Sequence, residues 1–512
     1  MQHRPFTVFQ STLDEGIGSL DPALADTPEA WQTLWNVYAP LLGYRHASGP
    51  AGATIVPVLA RTLPKITDGG KTYTLNLRPG LRFSDGTPVK ASDFAATVER
   101  VLRMRSSTAS FFLDIVGAPE YLKAPTAHVR GITTDDSTGR ITIHLTRPRA
   151  DFSNVLASIP AGLVPAGTQA RDLSLKPPPS AGPYTIQRFQ PGKQIVIVRN
   201  PHYRSLAPNV PDGNPDKVVV SLVEDDTLRM DETLGGRYDY DFPPIPFDRL
   251  PEVAKKYPDR LRVYTGANTY FFFMSPRVKP FDNIRVRKAV NYAIDRAALV
   301  QKLGGLAAPT QNILPPALPQ YRKLNLYDFD VEKARQLVDD AGAKGSPVTV
   351  WSSNRPTALK ASQYLVDQLN TIHLRAKLKV VEGSGYWAQI GNPRNRAGIG
   401  FANWFEDYPH PLDWFQLVSD GASLKGRGNE NFGQANVPEI NRLVNSLGSR
   451  AATGPAANSQ WATLDRLVVD KALLAPFVNR NFTALFSGRV DPQCEVIHVV
   501  YDFDWSTVCV KS

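Results

Sequence analysis

The chain has 512 residues, of which 42% are hydrophobic and 21% are charged, a composition typical of a globular protein that is too long to fold around one hydrophobic core. We therefore expect two or three packed units. The formal net charge of +10 comes from scattered basic residues without a basic block interleaved with aromatics, which argues against a nucleic-acid-binding protein. No apolar run is long enough to predict a membrane span.

The part of the sequence before residue 265 favours strands and hairpins. Residues 73–78 and 141–145 alternate apolar and polar side chains, as half-buried strands do. A helix is expected to begin near Ser92, whose hydroxyl is a suitable cap. Similar patterns predict strands at 6–11, 184–186, 194–198 and 217–223 and a helix at 31–42. Linkers are predicted at 176–183 and 242–246, where prolines cannot continue a helix or a central strand.

The part of the sequence after residue 265 alternates strands with helices. A strand at 271–274 is followed by an amphipathic helix that starts behind Asp282 and ends at Gly304-Gly305. Its polar side is expected to carry Arg285, Arg287, Lys288, Asp295 and Arg296. Helices at 331–341 and 359–372 and strands at 348–351 and 374–381 complete the pattern. This alternation predicts a parallel or mixed α/β layer, and the boundary between two lobes is expected near residue 265.

Only two cysteines are present, Cys494 and Cys509, and both lie near the end of the chain. Two free thiols are one interpretation. Scarce, paired cysteines favour a disulfide in an oxidising compartment. A metal site is disfavoured, because two thiols need two more ligands and His498 is the single candidate nearby. No cofactor is predicted.

The beginning of the chain, MQHRPFTVFQ, lacks the basic and apolar regions of a signal peptide. If the native protein is exported, we expect the given sequence to start after the signal. Enzymatic function is not predicted, because the sequence has no G-x-S-x-G, G-x-x-x-x-G-K-[ST] or H-E-x-x-H motif and its eight histidines have no metal-binding spacing.

Several segments together resemble one protein family. The central segment is Phe271 to Val300, with Pro280-Phe281-Asp282 at its turn and Ile294-Asp295-Arg296 near its end. The others are Leu20-Asp21-Pro22, Leu77 to Val89, Gly182-Pro183-Tyr184, Arg199 to Tyr203 and Trp404 to Pro411. In this order they resemble the family 5 extracellular solute-binding proteins, which are the dipeptide, oligopeptide and nickel receptors of ABC importers.

The resemblance implies a two-lobed α/β fold like that of periplasmic binding proteins (type II, cluster C), with an extra subdomain in the first lobe. Lobe I is expected at 1–265, with the inserted subdomain at about 45–175. Lobe II is expected at 266–478, and residues 479–512 return to lobe I, so that the chain crosses near Gly266 and Val478. Lobes of this kind close on a solute, and the closed form docks on a membrane permease.

The resemblance also implies candidate ligand-binding residues. Asp407, which follows Trp404 at the spacing of the peptide receptors, is expected to hold the α-ammonium of a ligand, whereas the alternative is a turn aspartate that caps backbone amides. Glu406 is expected to point away. Arg355 resembles the arginine of the dipeptide receptors that binds the ligand carboxylate, although the residues after Pro356 depart from their pattern. The alternative is a surface or interlobe ion pair.

Aromatic and backbone groups extend this candidate site. Trp404 and Tyr408 are expected to present ring faces, and backbone groups at Asn403 and Phe405 are expected to pair with an extended peptide. The same residue types are equally common in a core. The remaining candidates are Glu15, in a loop at 13–18, and Tyr386 and Trp387, from the second lobe.

Taken together, the sequence predicts a monomeric, extracytoplasmic receptor, secreted or held as a lipoprotein, that delivers a small solute to an ABC permease. A short peptide is the leading solute. The alternatives are a metal chelate, haem, an opine, an oligosaccharide or a secondary metabolite, or an enzyme or sensor on the same scaffold.

Overall fold

The computed structural model describes residues 6–13, 17–125, 128–203, 210–241, 245–246, 249–382, 385–424, 426, 428–449 and 455–511. The strands are β1 (Val8–Leu13), β2 (Leu42–Tyr44), β3 (Ile55–Pro57), β4 (Lys65–Thr67), β5 (Thr72–Asn76), β6 (Ile132–Asp135), β7 (Arg140–His144), β8 (Tyr184–Gln190), β9 (Gln194–Arg199), β10 (Lys217–Leu222), β11 (Tyr240–Asp241), β12 (Leu261–Thr265), β13 (Asn268–Met274), β14 (Ala307–Pro309), β15 (Pro347–Ser353), β16 (Arg375–Val381), β17 (Ile399–Phe405), β18 (Leu474–Phe486), β19 (Ile497–His498) and β20 (Asp502–Phe503).

The helices are α1 (Pro28–Trp35), α2 (Ala91–Met104), α3 (Ala118–Lys123), α4 (Phe152–Val155), α5 (Asp226–Leu234), α6 (Leu250–Lys256), α7 (Ile284–Ala293), α8 (Arg296–Lys302), α9 (Val331–Asp340), α10 (Pro356–Thr371), α11 (Gly385–Ile390), α12 (Pro411–Val418), α13 (Pro438–Gly448) and α14 (Pro455–Asp470). Within the described part of the chain, none of these helices combines the length and the apolarity that crossing a membrane requires.

The chain forms two compact units. Unit 1 contains residues 1–263 and 483–512, and unit 2 contains residues 264–482. The chain therefore passes between the units twice, once within β12 and once within β18. The sequence predicts these boundaries after residues 265 and 478, whereas the units divide after residues 263 and 482. The assignment of 45–175 as an inserted subdomain stays a prediction.

Unit 1 contains two larger sheets, besides the two-stranded pairs β2–β3 and β19–β20. One has the order β11-β1-β10-β9-β8, in which β1 is parallel to both β10 and β11 and the hairpin β8–β9 is antiparallel. The other is the antiparallel sheet β4-β5-β7-β6. The linker predicted at 176–183 has no helix or strand, whereas residues 242–244 of the second predicted linker lie outside the described residues.

Unit 2 is built on a mixed sheet with the order β16-β15-β17-β13-β18. β15 is parallel to β16 and β17, and β13 is antiparallel to β17 and β18. The strand β13 is buried along its whole length, with Phe272 and Met274 in one hydrophobic cluster and Phe271 and Phe273 in another. Because strand side chains alternate between faces, both faces of the sheet are covered, as the predicted α/β layer requires.

The central segment forms two helices where the sequence predicted one. Ile294 adopts an extended conformation, and the Asp295 side chain then accepts a hydrogen bond from the Ala298 amide at 2.9 Å, which caps a new helix. The Asp295 amide also donates to the Tyr364 hydroxyl at 2.8 Å. A local capping interaction and a tertiary contact thus interrupt a continuous helical pattern. The predicted end at Gly304 and Gly305 is present, and both glycines have positive φ.

The expected polar side of this segment is wrong at two positions. Arg287 and Arg296 are 7% and 8% exposed. Arg296 Nε donates to the carbonyl of Pro476 at 2.8 Å, and Arg287 Nη2 donates to the carbonyl of Lys471 at 3.0 Å. Burial lowers the pKa of Arg296 to about 10. A guanidinium can be buried in this way because its fork of donors satisfies several carbonyls together.

Two other helix predictions differ from the structure. The helix expected at 31–42 begins at Pro28, behind a Thr27 cap, and ends at Trp35, and Pro40 lies in the chain that follows. The second helix starts before Ser92. The Lys90 amide donates to the Asp93 carboxylate at 2.7 Å, so the acid in the first turn satisfies this end of the helix.

The motifs shared with the solute-binding family have structural roles in unit 1. Asp21 of Leu20-Asp21-Pro22 is fully buried and accepts two hydrogen bonds from the guanidinium of Arg100, at 2.7 and 2.5 Å. Asn200 donates to the carbonyl of Gly182 at 2.9 Å and accepts from the amide of His202 at 2.9 Å. These motifs hold loops together, so they indicate the fold rather than a binding site.

The disulfide predicted between Cys494 and Cys509 is present. It closes the final segment of unit 1, in which the Asp491 amide also donates to the Cys509 carbonyl at 2.9 Å. Glu495 forms an ion pair with Arg262 at 2.7 Å. The disulfide and the Asp491–Cys509 hydrogen bond therefore close the C-terminal segment on itself, and the ion pair with Arg262 joins it to the rest of unit 1.

We expect the double substitution Cys494→Ser and Cys509→Ser to lower the free energy of unfolding by about 2–4 kcal/mol, because the unfolded chain regains the freedom that the closed loop removes. Urea unfolding with and without reductant measures the change. As a control, the unreduced wild-type protein is denatured and treated with a thiol label, which should not react. Two labelled thiols in that sample contradict the bond.

Candidate functional site

The candidate site lies at the end of β17 in unit 2. Along its length β17 pairs with β13, from Ile399 opposite Met274 to Phe405 opposite Asn268. On its other edge, β15 reaches only Ile399 and Gly400. Among the described residues, no strand covers that edge at 401–405. The end of β17 thus offers backbone groups to an additional extended chain.

Three carboxyl groups gather immediately after this strand end. We call Glu406, Asp407 and Asp413 the acidic cluster. Asp413 lies in the first turn of α12 and is 2% exposed. Its Oδ2 accepts hydrogen bonds from Trp404 Nε1 at 3.1 Å and from the Asp407 amide at 3.0 Å. Asp413 therefore fixes both the tryptophan ring and the backbone that presents Asp407.

The acidic cluster has no basic partner among the described residues. Burial raises the pKa of Glu406 to about 8, and nearby Asp407 raises it further in the same direction. Burial also raises the pKa of Asp407 to about 7, with a further contribution from Glu430. The pKa of Asp413 is raised well above its usual range by burial and by Asp407. Carboxyl groups in this state bind protons readily, or a cation supplied from outside.

Glu406 is the least satisfied member of the cluster. It is 8% exposed, and Trp414 Nε1 donates to its Oε2 at 3.5 Å. Its Oε1 is buried without a hydrogen-bond partner among the described residues. The Glu406 carboxyl is buried and lies within electrostatic reach of Asp407 and Asp413. The expectation that it points away from a ligand stays a prediction.

The aromatic candidates have different surroundings. Trp404 is half-buried and held by Asp413, and the Phe405 side chain is 41% exposed with ring contacts to Tyr270 and Phe482. Asn403 is half-buried and lies opposite Tyr270 in the sheet. Tyr408 is 6% exposed, so most of its ring packs inside the protein. Their roles as ligand contacts stay predictions.

Tyr386 and Trp387 form no hydrogen bond with the acidic cluster in the described part of the structure. The Tyr386 ring is fully buried, and its hydroxyl donates to the carbonyls of Phe401 at 2.6 Å and Trp351 at 3.1 Å, which is a packing role. The Trp387 ring lies against Phe432, with ring centroids 5.5 Å apart. These contacts leave the ligand role of both residues as a prediction.

Arg355 lies at the start of α10, where it is exposed and occupies the N-cap position. It forms no ion pair with any described residue, so the alternative of an ion pair has no support in that part of the chain. Glu15 lies outside the described residues.

Sequence reasoning named Asp407 and Trp404 as candidates and did not name Asp413. A usable signal was present: an acidic residue in the first turn of a helix, six positions after Asp407, beside the apolar pair Trp414-Phe415. The acidic cluster does not have the arrangement of a metal site. Among the described residues, no three His, Cys, Asp or Glu side chains are arranged to hold a metal ion. The acidic cluster suits an organic cation with N–H donors.

The fold defines the class of protein. It is a mixed α/β chain with the two-lobed fold of periplasmic binding proteins, as the sequence predicted. The structure known as clavulanic acid biosynthesis oligopeptide binding protein 2 superposes with a TM-score of 0.91 and 24% sequence identity, covering 99% of this chain and 96% of that one.

Sequence comparison gives the family. The profile of the bacterial extracellular solute-binding proteins, family 5 middle, matches residues 54–425. The chain belongs to this family. The probable D,D-dipeptide-binding periplasmic protein DdpA of Escherichia coli (strain K12) is 24% identical over 489 residues, which cover 92% of this chain and 88% of DdpA. The glutathione-binding protein GsiB of Salmonella typhi is 27% identical over 343 residues, 65% of this chain and 63% of GsiB.

The raised pKa values predict how stability depends on pH. An unfolded Glu or Asp has a pKa near 4, so between about pH 4 and pH 8 the folded ligand-free protein binds more protons than the unfolded chain. The contribution of these carboxyls to the free energy of unfolding is therefore fully present below that range. It falls as pH rises through the range, by at most about 1.4 kcal/mol per pH unit for each carboxyl.

Urea unfolding of the ligand-free protein at pH 6, 7 and 8 measures this fall. Glu406→Gln removes one titrating group and should flatten the decline between pH 6 and pH 8. The exposed Glu382→Gln serves as the matched control and should leave the decline unchanged. Equal declines for the wild type and Glu406→Gln contradict the prediction.

Proposed function

We propose that this protein is an extracytoplasmic receptor that captures a short peptide and delivers it to the permease of an ABC importer. The observation that carries the proposal is the acidic cluster, placed beside a strand end whose second edge has no strand partner among the described residues, in a member of a solute-binding family. Membership of the family supports capture of a solute. The acidic cluster supports a solute with a cationic amino group.

Asp407 is the proposed anchor for that amino group. Its carboxyl is partly buried, has no basic partner among the described residues, and stands on a backbone fixed by Asp413. A carboxylate in such surroundings forms stronger charge-assisted hydrogen bonds with an ammonium group than one in water does. An incoming ammonium also relieves the repulsion among the carboxyls, which is the electrostatic gain that favours binding.

The end of β17 is the proposed support for the peptide backbone. Residues 401–405 present one edge to β13 and leave the other without a strand partner in the described part of the chain. An extended peptide added there pairs its amides and carbonyls with those of Asn403 and Phe405, which gives affinity that does not depend on side-chain identity. Pockets for the side chains then set specificity.

Two relatives support a peptide as the solute, since one is a probable D,D-dipeptide-binding protein and the other binds glutathione. In this proposal the protein acts by stoichiometric binding and does not turn the solute over. The two units correspond to the lobes, and the crossings within β12 and β18 act as the hinge. The disulfide fits an oxidising location outside the cytoplasm.

We expect Asp407→Asn to weaken the binding of a peptide with a free amino terminus by about 2–4 kcal/mol, because the substitution removes one partner of a buried charge pair. Isothermal titration calorimetry with tri-alanine and its N-acetylated form measures the effect. Acetylation of the peptide should weaken binding to the wild type and cause little further loss in the variant. Unchanged affinity of Asp407→Asn for tri-alanine removes Asp407 from the site.

A bound peptide should raise the melting temperature, because it binds the folded state alone. It should also reduce the radius of gyration in small-angle X-ray scattering, because a ligand that contacts both lobes only in the closed form shifts the population towards that form. A peptide that raises the melting temperature of an initially ligand-free sample without changing the scattering curve contradicts closure. Product formed from the peptide, followed by mass spectrometry, contradicts the receptor function.

A further inference from the structure

Glu406 is left without a role by the proposed capture of one amino group. Asp407 is the proposed anchor of a single ammonium group, and Asp413 already accepts hydrogen bonds from the Trp404 ring and the Asp407 amide. Glu406 adds a second carboxyl next to Asp407, with one oxygen buried and unpartnered among the described residues. A buried polar atom without a partner costs free energy, so a structural explanation of Glu406 is incomplete.

The surroundings of Glu406 indicate which kind of partner would satisfy it. The neighbouring titratable groups are Asp407 and Asp413, both acidic. The indole N–H of Trp414 serves one oxygen, Oε2, at the long distance of 3.5 Å. The ionised form of Glu406 therefore lacks a donor, and a positively charged donor stabilises that form most, because it also offsets the repulsion from Asp407 and Asp413.

We propose that Glu406 is a specificity-determining residue that binds a second cationic group of the ligand, so that the protein selects peptides whose first residue has a positively charged side chain. This inference rests on the proposed function, because it places the α-ammonium at Asp407. The adjacent Glu406 then receives the side-chain ammonium or guanidinium of the same first residue. Two cations on one residue match two carboxyls on neighbouring residues.

The charge balance of the cluster supports this assignment. One ammonium at the cluster leaves two buried acidic groups that must stay protonated or repel each other. A ligand with two cationic groups neutralises two carboxylates, and Asp413 keeps its two donors. A ligand with an uncharged first residue leaves the Glu406 oxygen buried and unpaired, which weakens its binding relative to the dicationic ligand.

The test measures selectivity rather than affinity alone. Tripeptides X-Ala-Ala with lysine, ornithine or arginine as X are compared by calorimetry with norleucine-Ala-Ala, which has an uncharged side chain of similar length to that of lysine. In the wild type we expect at least one cationic peptide to bind about tenfold or more tightly than the norleucine peptide. In Glu406→Gln, which preserves size and an acceptor for Trp414, this ratio should fall to about one.

Two controls separate charge recognition from a loss of structure. Glu382→Gln removes an exposed carboxyl of the same unit and should keep the wild-type ratio. A general loss of folding in Glu406→Gln weakens the binding of all the peptides alike. Recognition by Glu406 instead changes the ratio of affinities for charged and uncharged peptides. The melting temperature of each variant is measured in the same buffer.

The outcomes distinguish this inference from the proposed function. Equal binding of the cationic and norleucine peptides to the wild type, or a ratio that survives Glu406→Gln, overturns the role of Glu406. If the norleucine peptide binds the wild type and Asp407→Asn weakens that binding, the proposed capture of peptides stands without the role of Glu406. If no peptide binds the wild-type protein, the proposed function and this inference are both overturned.

Discussion

The fold of unit 2 depends on the anchoring of strand β18 by two buried arginines. Arg287 and Arg296, on consecutive helices, donate to the carbonyls of Lys471, in the turn before β18, and Pro476, near the start of β18, the strand that pairs with β13. β13 in turn pairs with β17, the strand that ends at the acidic cluster. A guanidinium buried among carbonyls is costly unless nearly all of its donors are used. This requirement explains why the helix pair and the strand occupy fixed positions, and why β17 presents its end in a defined place.

The acidic cluster has the opposite electrostatic character. The arginines are buried with their acceptors, whereas Glu406 and Asp413 are buried, and Asp407 is partly buried, without basic partners among the described residues. Such an arrangement lowers the stability of the ligand-free protein at neutral pH, and a cationic ligand restores it. A structural ion pair does not have this property, because its two charges are already satisfied. The cluster therefore differs from the buried pair Asp21–Arg100, whose two charges satisfy each other inside unit 1.

Most of the motifs that reveal the family hold the fold together, and only one borders the candidate site. Asp21, Asn200 and the arginines of the central segment all form internal hydrogen bonds. The segment from Trp404 to Pro411 is the exception, since it carries Trp404, Glu406 and Asp407. This division explains how relatives with about a quarter of their residues identical share the family while the ligand of each is set by a few side chains.

The sequence by itself determined the family, the α/β class, most strands and the disulfide between Cys494 and Cys509, because periodic apolar patterns and scarce cysteines are local signals. It also determined Asp407 and Trp404 as candidates. Only the tertiary structure decided the break at Ile294, the burial of Arg287 and Arg296, and the gathering of Glu406 with Asp413. These features depend on partners distant in sequence or on the packing of a neighbouring helix, such as the Tyr364 hydroxyl for Asp295 and the first turn of α12 for Asp407. A charged residue on a helical pattern reads as exposed until its acceptors are known, and that is the physical reason the sequence was insufficient.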